Sequence, residues 1–128
     1  MEDCELIALA AQARTSAYTP YSSYPVGAAL LAASGEVYTG CNVENASYGL
    51  TICAERTAVV KAVCAGERDF EAIAVVTENG GSPCGACRQV LSEFAGNMRV
   101  LVADAAGNCR TWSLSELLPD QFRPADLG

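Results

Sequence analysis

The chain has 128 residues, enough for one compact domain with a real core and too few for two. Hydrophobic residues make up 51% of it and charged residues only 18%, so it can fold without disulfide staples. Eight basic residues against fifteen acidic ones leave a net charge of -7, which argues against a surface that tracks phosphates and favours a small or neutral ligand over a polynucleotide, although charge of this size also serves solubility.

The opening residues Met1-Glu2-Asp3 are acidic where an export signal would be basic. The longest apolar run, Val26 to Ala33, falls well short of the roughly 20 residues of a membrane span. The expectation is a cytoplasmic protein, one domain over residues 1–128, whose seven cysteines serve metal binding or lie buried as thiols. Cys4, Cys41, Cys64 and Cys109 acquire no chemistry from the sequence and are expected to be buried or semi-buried. The chain contains no histidine. That removes Ser-His-Asp and Cys-His nucleophile systems and the commonest zinc ligand, so any metal must be held by Cys, Asp or Glu.

In chain order, Leu6, Leu9, Ala10, Ala13 and Ala17 recur at helical spacing and predict a helix over residues 3–17. Two prolines mark residues 19–25 as a loop. Val26 to Ala33 and Glu36 to Gly40, around Ser34-Gly35, read as a β-hairpin. Asn42 to Leu50 is a polar, irregular loop. Cys53 to Ala65 carries Ala58, Val59, Ala62 and Val63 on one stripe, with Gly66 as a helix stop. Ala72 to Val76 reads as a strand covered on both faces. After a turn at Thr77 to Gly81, Ser82 is the expected N-cap and Pro83 the first residue of a helix that places Cys84, Cys87, Leu91 and Phe94 on one face. Met98 to Ala103 and Cys109 to Trp112 are strands, and Leu114 to Leu118 a short helix halted by Pro119. The order α-β-β-α-β-α-β-β-α predicts a mixed five-stranded sheet with helices on both faces, an α/β fold.

The chemistry concentrates in three cysteines and their neighbours. Cys84 and Cys87 stand one helical turn apart at a helix start, where unpaired N–H groups favour thiolate, the form that binds zinc. That spacing alone also suits a redox pair or two core thiols. Cys53, at another predicted helix start, supplies a third sulfur. Three ligands leave one position open on a tetrahedral ion, the mark of a catalytic site, and that position would hold water. Glu55, two residues on, can lie beside such a water and shuttle its proton, though a first-turn glutamate also suits a helix N-terminus. Three thiolates and Zn²⁺ sum to about -1, which discourages ionisation of the water. Arg56 is the expected counter-charge, hydrogen-bonded to one or more ligand sulfurs; the plainer reading is a solvated arginine.

These residues, with their surroundings, resemble the small, homo-oligomeric cytidine deaminases of nucleoside salvage. The likeness runs through Tyr21-Ser22, Pro25-Val26-Gly27-Ala28-Ala29-Leu30, Gly40-Cys41-Asn42-Val43-Glu44-Asn45-Ala46-Ser47-Tyr48, Cys53-Ala54-Glu55-Arg56-Thr57, Pro83-Cys84-Gly85-Ala86-Cys87-Arg88-Gln89 and Glu116-Leu117-Leu118-Pro119. The resemblance implies a cytidine deaminase-like three-layer α/β/α fold and one zinc ion per subunit on Cys53, Cys84 and Cys87, with Glu55 as the acid–base group. It further implies that Asn42 and Glu44 bind the ribose 3′-hydroxyl and that Ala54 offers its N–H to the pyrimidine 2-oxo group. Ala46 and Tyr48 would reach a neighbouring subunit's site near the 5′-hydroxyl, and Phe122 would close over a neighbour's substrate. The implied assembly is a homotetramer acting on cytidine or deoxycytidine, without nucleic-acid polymer or membrane partners. The chain departs from the family at Tyr24, where a Phe that stacks on the base is usual; Tyr can stack equally well, but its hydroxyl then needs a partner or water.

Other readings of the same residues remain open at this level. A related deaminase could act on a nucleoside antibiotic or a guanine-like base. A structural-zinc interaction module is opposed by the lack of a fourth ligand. Asn42 and Glu44 could be ordinary loop residues, and Tyr48 and Phe122 ordinary packing.

Overall fold

The computed structural model describes residues 1–94 and 97–128. Among the described residues, four helices and five strands follow in the expected order: α1 (Asp3–Arg14), β1 (Gly27–Ala32), β2 (Val37–Cys41), α2 (Ala54–Cys64), β3 (Phe70–Val76), α3 (Gly85–Ser92), β4 (Arg99–Ala103), β5 (Cys109–Ser113) and α4 (Leu114–Leu117). Short 3-10 turns occupy Tyr48–Leu50 and Pro124–Leu127.

The strands form one sheet in the order β2-β1-β3-β4-β5. The β3–β4 pair is parallel, as the intervening helix requires, and the other three pairs are antiparallel. Alternation along β3 divides the core. Ala72, Ala74 and Val76 face Leu6 and Ala10 of α1, while Ile73 and Val75 face Ala54, Ala58 and Val59 of α2 and Leu91 of α3. The result is the three-layer α/β/α architecture. Every residue of β3 except Glu71 is buried, which explains why this strand reads as an unbroken apolar run.

Helix boundaries differ most from the sequence reading in the first and third helices. The first helix ends at Arg14 rather than at residue 17, because the chain turns away so that Tyr18 can pair with Val43; the Tyr18 N–H donates to the Asn42 carbonyl at 3.0 Å. The third helix begins at Gly85, not at Pro83, and its N-cap is Cys84 rather than Ser82. Cys84 has extended backbone (φ -67°, ψ 166°), and Arg88 holds the preceding segment outside the helix. Arg88 Nε donates to the Pro83 carbonyl at 2.8 Å and Nη2 to Ser82 Oγ at 2.9 Å. The helix ends at Ser92, so Phe94 falls beyond it rather than on its face, and its ring packs 5.3 Å from that of Phe70. The cysteines depart from expectation too. All seven are free thiols, but Cys4, Cys64 and Cys109 are exposed and only Cys41 is half-buried among the four without assigned chemistry.

One close backbone contact seats the helix that carries the chemistry. A Cβ on Gly40 would lie 2.5 Å from the Ala54 carbonyl oxygen and 2.6 Å from the Ala58 nitrogen, so only glycine lets β2 approach the first turns of α2. Gly40→Ala should therefore destabilise the protein by about 1–3 kcal/mol through overpacking, read by chemical denaturation. An unchanged midpoint would mean that α2 is not seated by this contact.

Candidate active site

Both helices that follow β2 and β3 begin at the same end of the sheet, where open α/β sheets place their ligands. Cys53 is the N-cap of α2 and Cys84 the N-cap of α3, each with extended backbone and neither using its side chain to cap its own helix. Their sulfurs are thus directed outward from two helix N-termini. Cys87, buried in the first turn of α3, completes the group.

Cys84 Sγ lies 3.9 Å from Cys53 Sγ and 3.5 Å from Cys87 Sγ, and all three sulfurs fall within 4.8 Å of one another. Zinc–thiolate bonds of about 2.3 Å at tetrahedral angles separate sulfurs by about 3.8 Å, so the trio fits such an ion with little adjustment. Among the described residues no fourth His, Cys, Asp or Glu atom joins the cluster. The thiols are unequal. A hydrogen bond from Cys87, reinforced by Arg56, holds Cys53 down to about 5, while the same partnership with Cys53, together with burial, pushes Cys87 upward. The pair thus shares its proton unequally, with thiolate favoured at Cys53 and thiol at Cys87.

Arg56 Nη2 lies 3.4 Å from Cys53 Sγ, which supports the counter-charge reading over a solvated arginine. The same nitrogen reaches the Thr51 carbonyl at 3.5 Å. Glu55 is only 4% exposed. Burial pushes its carboxyl upward, and the Cys53 charge adds to the effect. That shift brings a carboxylate toward the range where it can both take and return a proton near neutral pH.

A cavity of about 270 Å³ opens beside the sulfurs. Cys53, Cys84, Ala54, Glu55, Tyr24, Val26, Asn42 and Glu44 are among the residues that line it. Asn42 is buried, and its amide is committed to the loop. Its Oδ1 accepts from the Val26 N–H at 2.9 Å and its Nδ2 donates to the Tyr24 carbonyl at 3.0 Å. Glu44 accepts hydrogen bonds from the Tyr21 and Ser22 N–H groups at 3.0 and 3.1 Å and from the Ser22 hydroxyl. The Ser22 hydroxyl, followed by these amides, holds the Glu44 carboxyl below its ordinary value. Tyr24 finds the partner its hydroxyl needs in Asn79, at 2.7 Å.

The cavity thus gathers Tyr24, Asn42, Glu44, Cys53, Ala54, Glu55 and Cys84. It does not include Ala46, Tyr48 or Phe122, all exposed on the same chain. Tyr48 is 74% exposed and stands edge-on to Tyr21, with ring centroids 5.8 Å apart, over an adjoining hollow that shares Ser22, Glu44 and Thr51. Phe122 is 57% exposed, and its carbonyl accepts from Gln89 Nε2 at 3.0 Å. The sequence reading missed Thr51, Thr77, Gly81 and Ser82 in the cavity wall, and Asn79 just behind it. No local pattern marks them, because each reaches the site through turns that tertiary contacts position.

An α/β/α sheet with three convergent thiols, an open side and a buried carboxylate defines a metal-assisted hydrolase site. Comparison with known proteins narrows this class. The chain belongs to the cytidine and deoxycytidylate deaminase family, whose zinc-binding region matches residues 1–103. It is 52% identical over 126 residues to the cytidine deaminase of Sporosarcina psychrophila, covering 96% of this chain and 93% of that protein. It is 51% identical over 125 residues to that of Halalkalibacterium halodurans, covering 95% of each. The crystal structure of cytidine deaminase from Burkholderia pseudomallei superposes with a TM-score of 0.92 at 51% identity, covering 95% of this chain and 100% of that one. The cofactor of the family is zinc, and the Cys53, Cys84 and Cys87 sulfurs can hold it.

Two outcomes follow from the site's electrostatics. Zinc uptake at pH 7 must expel the proton that Cys87 retains, so apparent affinity rises with pH; calorimetry in buffers of different ionisation enthalpy reads this, and uptake without proton release would contradict it. Arg56→Gln should lower zinc affinity or turnover by about 10- to 100-fold, whereas wild-type values in both would leave Arg56 without a role at the sulfurs.

Proposed function

We propose that this protein, as one catalytic domain over residues 1–128, hydrolyses cytidine and deoxycytidine to uridine and deoxyuridine with release of ammonia. The observation that carries the reading is the three-sulfur cluster facing a small cavity with a buried carboxyl group alongside. The names of the relatives support the substrate class.

Cys53, Cys84 and Cys87 would hold the zinc, and Arg56 would offset their charge. Bound zinc supplies the Lewis acidity that makes water a usable nucleophile near neutral pH. Glu55 accepts a proton from the attacking water and delivers it to ring N3 as the oxygen bonds to C4. It then relays the second proton to the amino group, the C4–N4 bond breaks, and ammonia leaves. One water is consumed, and C4 becomes a carbonyl carbon. The Ala54 N–H faces the 2-oxo group, Tyr24 stacks on the base, and Asn42 and Glu44 take the ribose 3′-hydroxyl. Glu44 stays ionised because Ser22 and two amides hold it so, which disfavours a phosphate in its vicinity.

Assembly as a homotetramer gives the exposed Ala46, Tyr48 and Phe122 a purpose, each reaching a neighbour's site. The setting is cytoplasmic pyrimidine salvage on free nucleosides. Among the described residues no helix is long and apolar enough to cross a membrane.

Loss of ultraviolet absorbance should follow mixing with cytidine or deoxycytidine, and not with cytosine, cytidine monophosphate or adenosine. Turnover confined to another base would transfer the activity elsewhere. Glu55→Ala should keep its zinc and fold but lose about two to four powers of ten in turnover. Near-wild-type turnover in that variant would remove Glu55 from the mechanism.

A further inference from the structure

The cavity that the sulfurs line is also lined by Tyr24, whose hydroxyl makes a pairing no local pattern predicts. The Tyr24 hydroxyl donates to Asn79 Oδ1 at 2.7 Å, joining segments 55 residues apart. Asn79 sits in a turn that is fixed independently of Tyr24. The Gly81 N–H donates to the buried Thr77 Oγ1 at 2.8 Å, and Arg110 Nη2 donates to the Gly80 carbonyl at 2.8 Å. From the other side, Arg14 spans both segments, with Nε on the Pro25 carbonyl at 3.0 Å and Nη2 on Glu78 Oε2 at 3.2 Å. Asn79 therefore presents its carbonyl from a held turn. The bond itself is exposed, so its weight comes from Asn79 being pre-positioned by the turn, which lets it orient the ring.

Gly81 supplies the second half of the argument. A Cβ there would lie 2.6 Å from the Tyr24 hydroxyl oxygen, while Asn79 Oδ1 at 3.7 Å and Tyr24 Cζ at 3.8 Å would remain in ordinary contact. The clash is with one oxygen atom and with nothing else. A tyrosine held in this position thus uses both the acceptor at 79 and the absent side chain at 81. A phenylalanine would require neither.

We propose that Asn79 and Gly81 are positioning residues for substrate binding: together they fix the phenol of Tyr24, and hence the ring that lines the cavity, through its hydroxyl. The proposal rests on the cytidine deaminase reading, in which that ring stacks on the base. It makes positions 24, 79 and 81 one unit of specificity, tuned in this chain to tyrosine.

The test is a set of steady-state measurements with cytidine on the zinc-loaded protein, with zinc content and thermal midpoint recorded for each variant. Asn79→Ala should raise KM about three- to tenfold with a smaller change in kcat. Asn79→Asp keeps an acceptor and should stay close to the wild-type KM. Gly81→Ala should raise KM at least as much as Asn79→Ala, because it drives the hydroxyl out of place. In a Tyr24→Phe background both substitutions should lose their effect, since the oxygen they act through is gone. A merely structural role for the turn would make the effects of Tyr24→Phe and of either turn substitution additive in ln KM, and that result overturns the proposal. If Gly81→Ala does not fold, the Asn79 cycle decides alone. A wild-type protein that turns over no cytidine would instead overturn the functional reading and the proposal with it, an outcome distinct from turnover with additive effects.

Discussion

The convergence of two helix N-termini on one end of the sheet is the constraint from which the rest follows. It puts Cys53 and Cys84 at N-cap positions, where the side chain leaves the helix and the first N–H groups favour negative charge. Cys87, one turn along α3, then closes a triangle, with Cys84 Sγ 3.5 Å from Cys87 Sγ and 3.9 Å from Cys53 Sγ. Neither helix can shift without opening that triangle. The contact of Gly40 against α2 and the grip of Arg88 on Ser82 and Pro83 serve it from opposite sides, and Arg88 Nη1 extends the grip to the Leu117 carbonyl at 2.7 Å.

Charge explains the residues around the triangle. Three thiolates outweigh a divalent ion, so a site built without histidine needs added positive potential. Two helix ends supply part of it, and Arg56 supplies a full charge at 3.4 Å from Cys53. Glu55 has the opposite requirement. Its carboxyl is buried so that its proton affinity is high, and the Cys53 charge raises that affinity further. A positive charge thus sits against the Cys53 sulfur, while the Cys53 charge raises the proton affinity of the neighbouring Glu55. Glu55 and Arg56 are consecutive in the first turn of α2, so they project from different sides of it.

Much of this architecture was legible in the residues. Element order, the hairpin at Ser34-Gly35 and the mixed sheet follow from periodicity and breakers, and β3 shows its double burial as an apolar run. The sulfur trio was legible because histidine is absent and because each cysteine stands at a helix start. The start of α3 was not, because Ser82-Pro83 is a strong local N-cap signal and the overriding contact is a side-chain bond from Arg88, five residues downstream of Pro83. The Tyr24–Asn79 bond was invisible for a related reason, since nothing local links positions 55 apart. Exposure of Cys4, Cys64 and Cys109 went unforeseen because small apolar residues tolerate helix and strand surfaces as readily as cores.

The account stands on three sulfurs holding a zinc ion that keeps one corner for substrate chemistry. X-ray absorption at the zinc edge, on the purified holoprotein, addresses this directly. The account predicts three sulfur neighbours at about 2.3 Å and one lighter neighbour at about 2.0 Å, with the lighter one exchanging when a cytidine analogue is added. Four sulfurs, or a fourth protein ligand that analogue leaves undisturbed, would make the site structural and contradict it.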